Sequence, residues 1–313
     1  MDADDGREPG TGQVTSNVTD TALIFEGGGM RASYTSAVVV TLLAAGIHID
    51  WVAGISAGAS NAVNYLSRDA TRSRYSFVDF ATDPRFGDWR TFVRGQGLFN
   101  AAYIYGEAGL PGGPMPFDWA TFRANPARLR VGAVRCSDAQ PVYWTEADMP
   151  EPADMMVRVR ASSTMPGLMP FPVIDGVAYA DGALGPSAGI PLDAALADGF
   201  EKFLVVLTRP REYVKRPARI PGVYHQVFRR YPAIAERILA RWRDYNAARE
   251  RLFELEREGR AMLFVPDHMP VANGERRLAR LSAAHELGLG QARRELPRWR
   301  EFLGLDGELP RTG

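Results

Sequence analysis

Trp51-Val52-Ala53-Gly54-Ile55-Ser56-Ala57-Gly58-Ala59 passes directly from a short apolar run into small residues. A brief apolar run bounded by turn signals reads as a buried strand, and small residues at its end let the chain bend sharply into a helix. The same grammar occurs upstream, where Ala22-Leu23-Ile24-Phe25 leads through Glu26 into Gly27-Gly28-Gly29. A helix is expected there from about Ala32 to Ala45, stopped by Gly46, and another after Ser56 to about Leu66. Two strand–turn–helix units before residue 70 predict a parallel sheet in an α/β fold.

Outward from this pair the alternation continues. Strands are expected at Leu129–Arg135, Pro141–Thr145, Lys202–Thr208 and Ala261–Val265, with helices near Ala153–Ala161, Leu192–Asp198 and from about Glu275. Val173-Ile174-Asp175-Gly176-Val177-Ala178-Tyr179 reads as a hairpin on an Asp-Gly turn and runs straight into Asp181-Gly182. Residues 83–118, rich in Gly and Pro, read as a long functional or lid-like loop. From Val223 to Arg257 apolar residues recur at helical spacing, and Arg229, Arg230, Arg237, Arg241, Arg243, Arg249 and Arg251 fall on the other face. That face is expected to be solvated; an amphipathic element resting on lipid headgroups is the sharper alternative. Three segments are expected: a disordered leader at 1–20, one folded domain at 21–305 with a C-terminal helical extension, and a tail at 306–313.

Composition narrows the function classes. The 313 residues are 46% hydrophobic and 24% charged, a globular mixture. Lys+Arg and Asp+Glu both total 37, so no net field argues for nucleic acid. A single cysteine, Cys136, excludes an internal disulfide framework and a Cys-rich metal site. The polar start of the chain lacks the apolar core of a secretory signal, and no apolar stretch is long enough to span a bilayer. A soluble cytoplasmic protein is expected, with peripheral membrane contact left open.

The chemistry-bearing residues sit at the ends of the two strands. Gly54-Ile55-Ser56-Ala57-Gly58 fits G-x-S-x-G, a strand-to-helix elbow that exposes a serine hydroxyl. Gly27-Gly28-Gly29-Met30-Arg31 opens the other helix, where backbone N–H groups converge on an anion, either a phosphate or the oxyanion of acyl transfer. Gly27, Gly29 and Ala32 also satisfy a loose dinucleotide fingerprint, with Asp50 at about the right distance. Asp50 precedes the second strand, however, and Ser56 stands where the ribose-binding acid belongs. A serine nucleophile needs a base. Asp181 is one candidate; His268, in a loop after the last strand, would complete a Ser–Asp–His order. His48, His225 and His285 read as surface residues.

Together these stretches resemble the patatin-like phospholipase family: Glu26-Gly27-Gly28-Gly29-Met30-Arg31, Gly54-Ile55-Ser56-Ala57-Gly58, Ala161-Ser162-Ser163-Thr164-Met165-Pro166-Gly167 and Asp181-Gly182-Ala183. Ala32 and Ala37 stand where the family often has glycine. The resemblance implies a three-layer sandwich with a central, mostly parallel sheet flanked by helices. It implies a Ser–Asp dyad, with Ser56 the nucleophile and Asp181 the base. Backbone N–H groups at Gly28, Gly29 and Ala57 would form the oxyanion hole, supported by Gly27, Arg31, Gly54, Gly58 and Gly182. The implied activity is hydrolysis of phospholipid or other fatty-acyl esters through an acyl-serine, with no metal or organic cofactor. A catalytically silent lipid-binding module is the alternative from another class.

Overall fold

The computed structural model describes residues 14–87 and 99–305. In chain order the elements are β1 (Thr21–Phe25), α1 (Ala32–Ala44), β2 (Trp51–Ile55), α2 (Ala57–Leu66) and α3 (Ala70–Phe77). Two short helices follow, α4 (Ala101–Gly106) and α5 (Trp119–Ala124), then β3 (Arg128–Arg135), β4 (Pro141–Trp144) and α6 (Pro152–Ser162). The hairpin β5 (Val173–Ile174) and β6 (Val177–Asp181) leads to α7 (Leu192–Ala197) and β7 (Lys202–Val206). The chain continues through α8 (Pro221–Val227), α9 (Pro232–Arg257), β8 (Ala261–Phe264) and α10 (Leu278–Phe302).

The sheet runs β5-β6-β3-β2-β1-β7-β8, with β4 paired to β3 off this path. The five strands β3-β2-β1-β7-β8 are mutually parallel, and β4 and β6 join β3 antiparallel. Parallel strands at the centre are covered on both faces, so β1, β2 and β7 read as continuous apolar runs. Side chains alternate across the sheet. Leu23 and Phe25 enter a core shared with Val38 and Leu42 of α1 and Trp299 of α10. Ala22 and Ile24 enter the opposite core with Tyr245, Leu252 and Leu255 of α9. Helices on each face of a mixed, mostly parallel sheet give the expected α/β sandwich. The Asp-Gly hairpin is also present: Asp175 and Gly176 both have positive φ, 51° and 79°, as a two-residue turn of this kind requires.

Four expectations change. Residues 1–13 of the supposed leader lie outside the described residues, but Val18 is buried and bridged to Ile49, because it is an apolar side chain within reach of the sheet edge. The described ends of the 83–118 loop are structured: α4 forms there, and Phe86 and Phe99 meet edge to face. Residues 88–98 of that loop, and the tail at 306–313, lie outside the described residues. The helix expected over Val223–Arg257 is two helices, because Pro232 disfavours helical backbone at Tyr231 (φ −133°) and starts a new helix there. His285 is buried rather than on the surface, its Nδ1 lying 3.1 Å from both the Ser36 hydroxyl and the Ser33 carbonyl.

Candidate active site

Ser56 sits at the turn between β2 and α2 with φ 58° and ψ −128°. A non-glycine residue there stores on the order of 1–3 kcal/mol of strain, which the surroundings must hold. Part of that hold is steric. The backbone of β1 crosses so close that a Cβ on Gly58 would lie 2.2 Å from the Phe25 carbonyl oxygen, and one on Gly54 equally close to that of Gly58. The rest is a hydrogen-bond relay. Ser56 N–H donates to Ser162 Oγ at 2.8 Å, and Ser162 donates onward to the Gly132 carbonyl at 2.6 Å.

Sheet register brings Asp181 to the same level. Ile55 pairs with Gly132 across β2 and β3, while Ala133 pairs with Asp181 across β3 and β6. Ser56 and Asp181 therefore flank one strand at the same end of the sheet. Asp181 N–H donates to the Thr164 carbonyl at 2.9 Å, and Ala183 N–H donates to Asp181 Oδ1 at 2.8 Å. Burial raises the Asp181 carboxyl above the ordinary carboxylate range; the Ala183 N–H, the Arg241 guanidinium and the Ser56 hydroxyl act against it. Gly182 is needed at its position, since a Cβ there would lie 2.4 Å from the Gly132 oxygen.

The glycine loop lies alongside. Gly27 N–H donates to the Gly189 carbonyl, and a Cβ on Gly27 would crowd Ile55 O at 2.9 Å. Gly29 has φ 55°, and a Cβ there would meet the Asn273 carbonyl at 2.5 Å. The N–H groups of Gly28, Gly29 and Ala57 have no protein acceptor among the described residues. Arg31 is buried, with Nε 3.4 Å from Thr208 Oγ1 at the end of β7. Burial and the neighbouring Arg209 charge lower its pKa to about 10, against the attraction of Glu26. Glu26 accepts bonds from Thr208 N–H and, at 2.7 Å, from Tyr245 OH. Ala32, in place of a glycine, is fully buried against Ala57 and Phe77.

Ser56 and Ala57 open onto a cleft of about 900 Å³ including its mouth. Its walls are apolar, and six methionines line it: Met30, Met115, Met155, Met156, Met165 and Met169. Thioether side chains are flexible and polarisable, so such a wall adapts to an apolar guest of variable shape. Tyr105 brings a phenol into the same cleft; burial and the Asp181 charge raise its pKa, opposed by hydroxyls of Ser163 and Ser60.

The structure thus gathers Ser56, Asp181, Gly27, Gly28, Gly29, Ala57, Arg31, Gly54, Gly58 and Gly182 at one end of the sheet. His268 is exposed after β8, and no histidine lines the cleft among the described residues. Asp50 precedes β2, at the opposite end of the sheet from the glycine loop. Residues whose part is invisible in sequence are Ser162, Tyr105 and two arginines of α9. Arg241 Nε donates to the Ala183 carbonyl at 3.0 Å and Arg237 Nε to that of Leu184 at 2.7 Å, bracing the turn after Asp181.

Among curated proteins, the uncharacterized protein YjjU of Escherichia coli (strain K12) is 29% identical over 199 residues, 63% of this chain and 54% of that protein. The chain thus spans about half the length of the curated relative it matches. Among solved structures, VipD from Legionella pneumophila aligns with a TM-score of 0.48 at 11% identity, covering 89% of this chain and 67% of that one. Residues 231–304 match a family described as Domain of unknown function (DUF6363). Residues 23–196, more than half of the sequence, match the family described as Patatin-like phospholipase, and the chain belongs to that family.

Proposed function

We propose that this chain is a serine acyl hydrolase acting on phospholipid or other fatty-acyl esters through a Ser56–Asp181 dyad. The observation that carries the reading is Ser56, held on a strained elbow against a buried carboxylate at an apolar cleft. In this mechanism Ser56 Oγ attacks the ester carbonyl carbon while its proton passes to Asp181. A carboxylate raised by burial is a better base than one in water. The oxygen of the tetrahedral intermediate accepts from the unpaired N–H groups of Gly28 and Gly29, in the glycine loop, and of Ala57, at the start of α2 where the helix dipole adds positive charge. Collapse of the intermediate expels the alcohol, which takes the proton from Asp181, and leaves an acyl-serine. Water, deprotonated by Asp181, then attacks the acyl carbon and releases the fatty acid and Ser56. Every step uses residues of the chain alone.

The Met-lined cleft supports an acyl chain as the guest, and the hydrolase domain is taken to run over residues 21–305, since β8 and α10 complete the sheet and one core. The lone, buried Cys136 is in keeping with a reducing cytoplasm. Among the described residues no helix is long and apolar enough to cross a membrane; substrate access is proposed to occur by contact with a lipid surface.

The test is hydrolysis of a nitrophenyl ester series from short to long acyl chains. Ser56→Ala and Asp181→Asn are expected to lower kcat by about a thousandfold or more, with fold intact by circular dichroism, while His268→Ala stays at the wild-type rate. Loss of activity in His268→Ala would move the mechanism to a triad. A folded wild type inert on every ester and on phospholipid vesicles would favour a silent lipid-binding module instead.

A further inference from the structure

The arginines of the long helix α9 are not the free basic face that its sequence suggests. Arg237 and Arg241 are committed to the carbonyls of Leu184 and Ala183, and buried Arg249 donates to those of Arg209, Pro210 and Arg211. The free basic surface lies just before it. Residues 213–231 carry Lys215, Arg216, Arg219, Arg229 and Arg230 and no acidic residue, in a chain whose formal net charge is zero. Arg216, Arg219, Arg229 and Arg230 are exposed, and none has an ion-pair partner among the described residues.

The same segment holds the most solvent-exposed cluster of large apolar side chains. Val214 is 68% exposed, Ile220 63%, Val223 51% and Val227 60%. Val223 and Val227 are four residues apart on α8 and share one outward face, and Ile220 stands exposed at the N-cap of the same helix. Leaving that much apolar surface in water is unfavourable, and an apolar stripe rimmed by cations marks an interaction site. The helix is anchored from beneath by Phe228, which is buried with Leu184 and Val134, and whose ring reaches Gly167. Gly167 and the exposed Leu168 lie between Met165 and Met169, both of which line the cleft. The exposed stripe and the acyl cleft are therefore joined through one short segment.

We propose that α8 and its flanks, residues 214–230, are a docking face for an anionic lipid bilayer. Ile220, Val223 and Val227 would enter the headgroup–acyl boundary, while Arg216, Arg219, Arg229 and Arg230 pair with lipid phosphates. The charge decides for lipid over a second copy of this chain: apposed copies would bring two such basic segments together. Docking does not require catalysis. Its use, which is to hand acyl chains from the bilayer to the neighbouring cleft, rests on the hydrolase reading above.

The experiment is co-sedimentation of the full chain carrying Ser56→Ala with vesicles of phosphatidylcholine, and of phosphatidylcholine containing about one-third phosphatidylglycerol. Tighter binding to the anionic vesicles is expected. Each of Arg216→Gln, Arg219→Gln, Arg229→Gln and Arg230→Gln should weaken it roughly fivefold. Val223→Ser with Val227→Ser should weaken it at least as much at constant charge. In the active chain, none of these changes should alter turnover of a short soluble nitrophenyl ester, since the residues lie outside the cleft. Absence of binding to anionic vesicles, or binding indifferent to both sets of changes, overturns the proposal. So does a dimer in sedimentation velocity that the Val223/Val227 pair dissolves, which would assign the face to a second copy. An inert wild type on all esters would sink the hydrolase reading and leave the binding result standing.

Discussion

Ser162 Oγ accepts the backbone N–H of Ser56 at 2.8 Å and donates to the Gly132 carbonyl at 2.6 Å, so one hydroxyl ties the elbow to the neighbouring strand. Two residues on, the Thr164 carbonyl accepts the Asp181 N–H at 2.9 Å. The end of α6 thus positions both members of the proposed dyad without touching a substrate.

Ser162→Ala removes both hydroxyl bonds and leaves the buried Ser56 N–H unsatisfied. A loss of about 1–3 kcal/mol in stability is expected in a denaturant melt. A displaced nucleophile costs up to about a hundredfold in rate, so kcat on nitrophenyl butyrate should fall with little change in KM. Ser162→Cys, which keeps a weak donor and acceptor, should recover part of kcat.

The acid limb of the pH–rate profile is expected to report Asp181, the proposed base. Burial holds this carboxyl above its ordinary value, so the basic form, and with it kcat/KM, is lost as pH falls through a pKa higher than the usual value of about 4. Arg241 opposes that rise. Arg241→Met should therefore move the limb to higher pH, while Arg241→Lys, which keeps the charge, should leave it near the wild-type position. A limb that does not move in Arg241→Met would show that Arg241 acts only as a brace on Ala183.

Chain-length preference tests the Met-lined cleft. Met155→Trp fills space that an acyl chain would occupy, and the optimum in a nitrophenyl ester series should shift to shorter chains. A loss of tenfold or so on the longest esters with the acetate ester unchanged is the expected signature. Equal losses at every length would mean that the wall shapes the fold and not the guest.

Lys215 offers a separate electrostatic check. Burial, with the charges of Arg241, Arg209 and Arg31 around it, lowers its amine to about 8, well under the 10.5 of a free lysine. The chain has only one other lysine, Lys202, which is paired with Asp20 at 2.9 Å. Acetic anhydride at pH 8, read by peptide mass spectrometry, should label Lys215 ahead of Lys202. The sign for stability follows. Between about pH 8 and 10.5 the unfolded chain binds more protons at this position, so Lys215 makes the fold more stable as pH rises. Lys215→Met should flatten that rise.

What the sequence discloses is what is local. The apolar run before Gly54-Ile55-Ser56 and the Asp175-Gly176 turn carry their own geometry, so the elbow, the hairpin and the α/β alternation can be read from neighbouring residues. Long-range partners have no such signature. Ser162 meets Ser56 across 106 positions and Arg241 meets Ala183 across 58, and although Ser162 lies in the Ala161–Gly167 stretch that carries the resemblance, nothing in either neighbourhood names its partner. His285 misleads for the same reason. Its charged neighbours look like a surface helix, yet α10 packs so tightly on α1 that a Cβ on Gly288 would lie 2.2 Å from the Tyr34 carbonyl. The helical periodicity around residue 230 belongs to two helices, because Pro232 divides it.

The position of β1 in the sheet governs when the proposed active site can assemble. Glu26 N–H, the entrance to the glycine loop, donates to Val206 O of β7, and β7 is in turn flanked by β8. The turn beyond Asp181 is held by arginines translated some fifty residues after it, at 237 and 241. Contacts of such sequence separation form late. A nascent chain still tethered to its ribosome short of β8 holds Ser56 and Asp181 without the sheet and braces that align them, so the proposed hydrolytic site assembles only after β8 has been made.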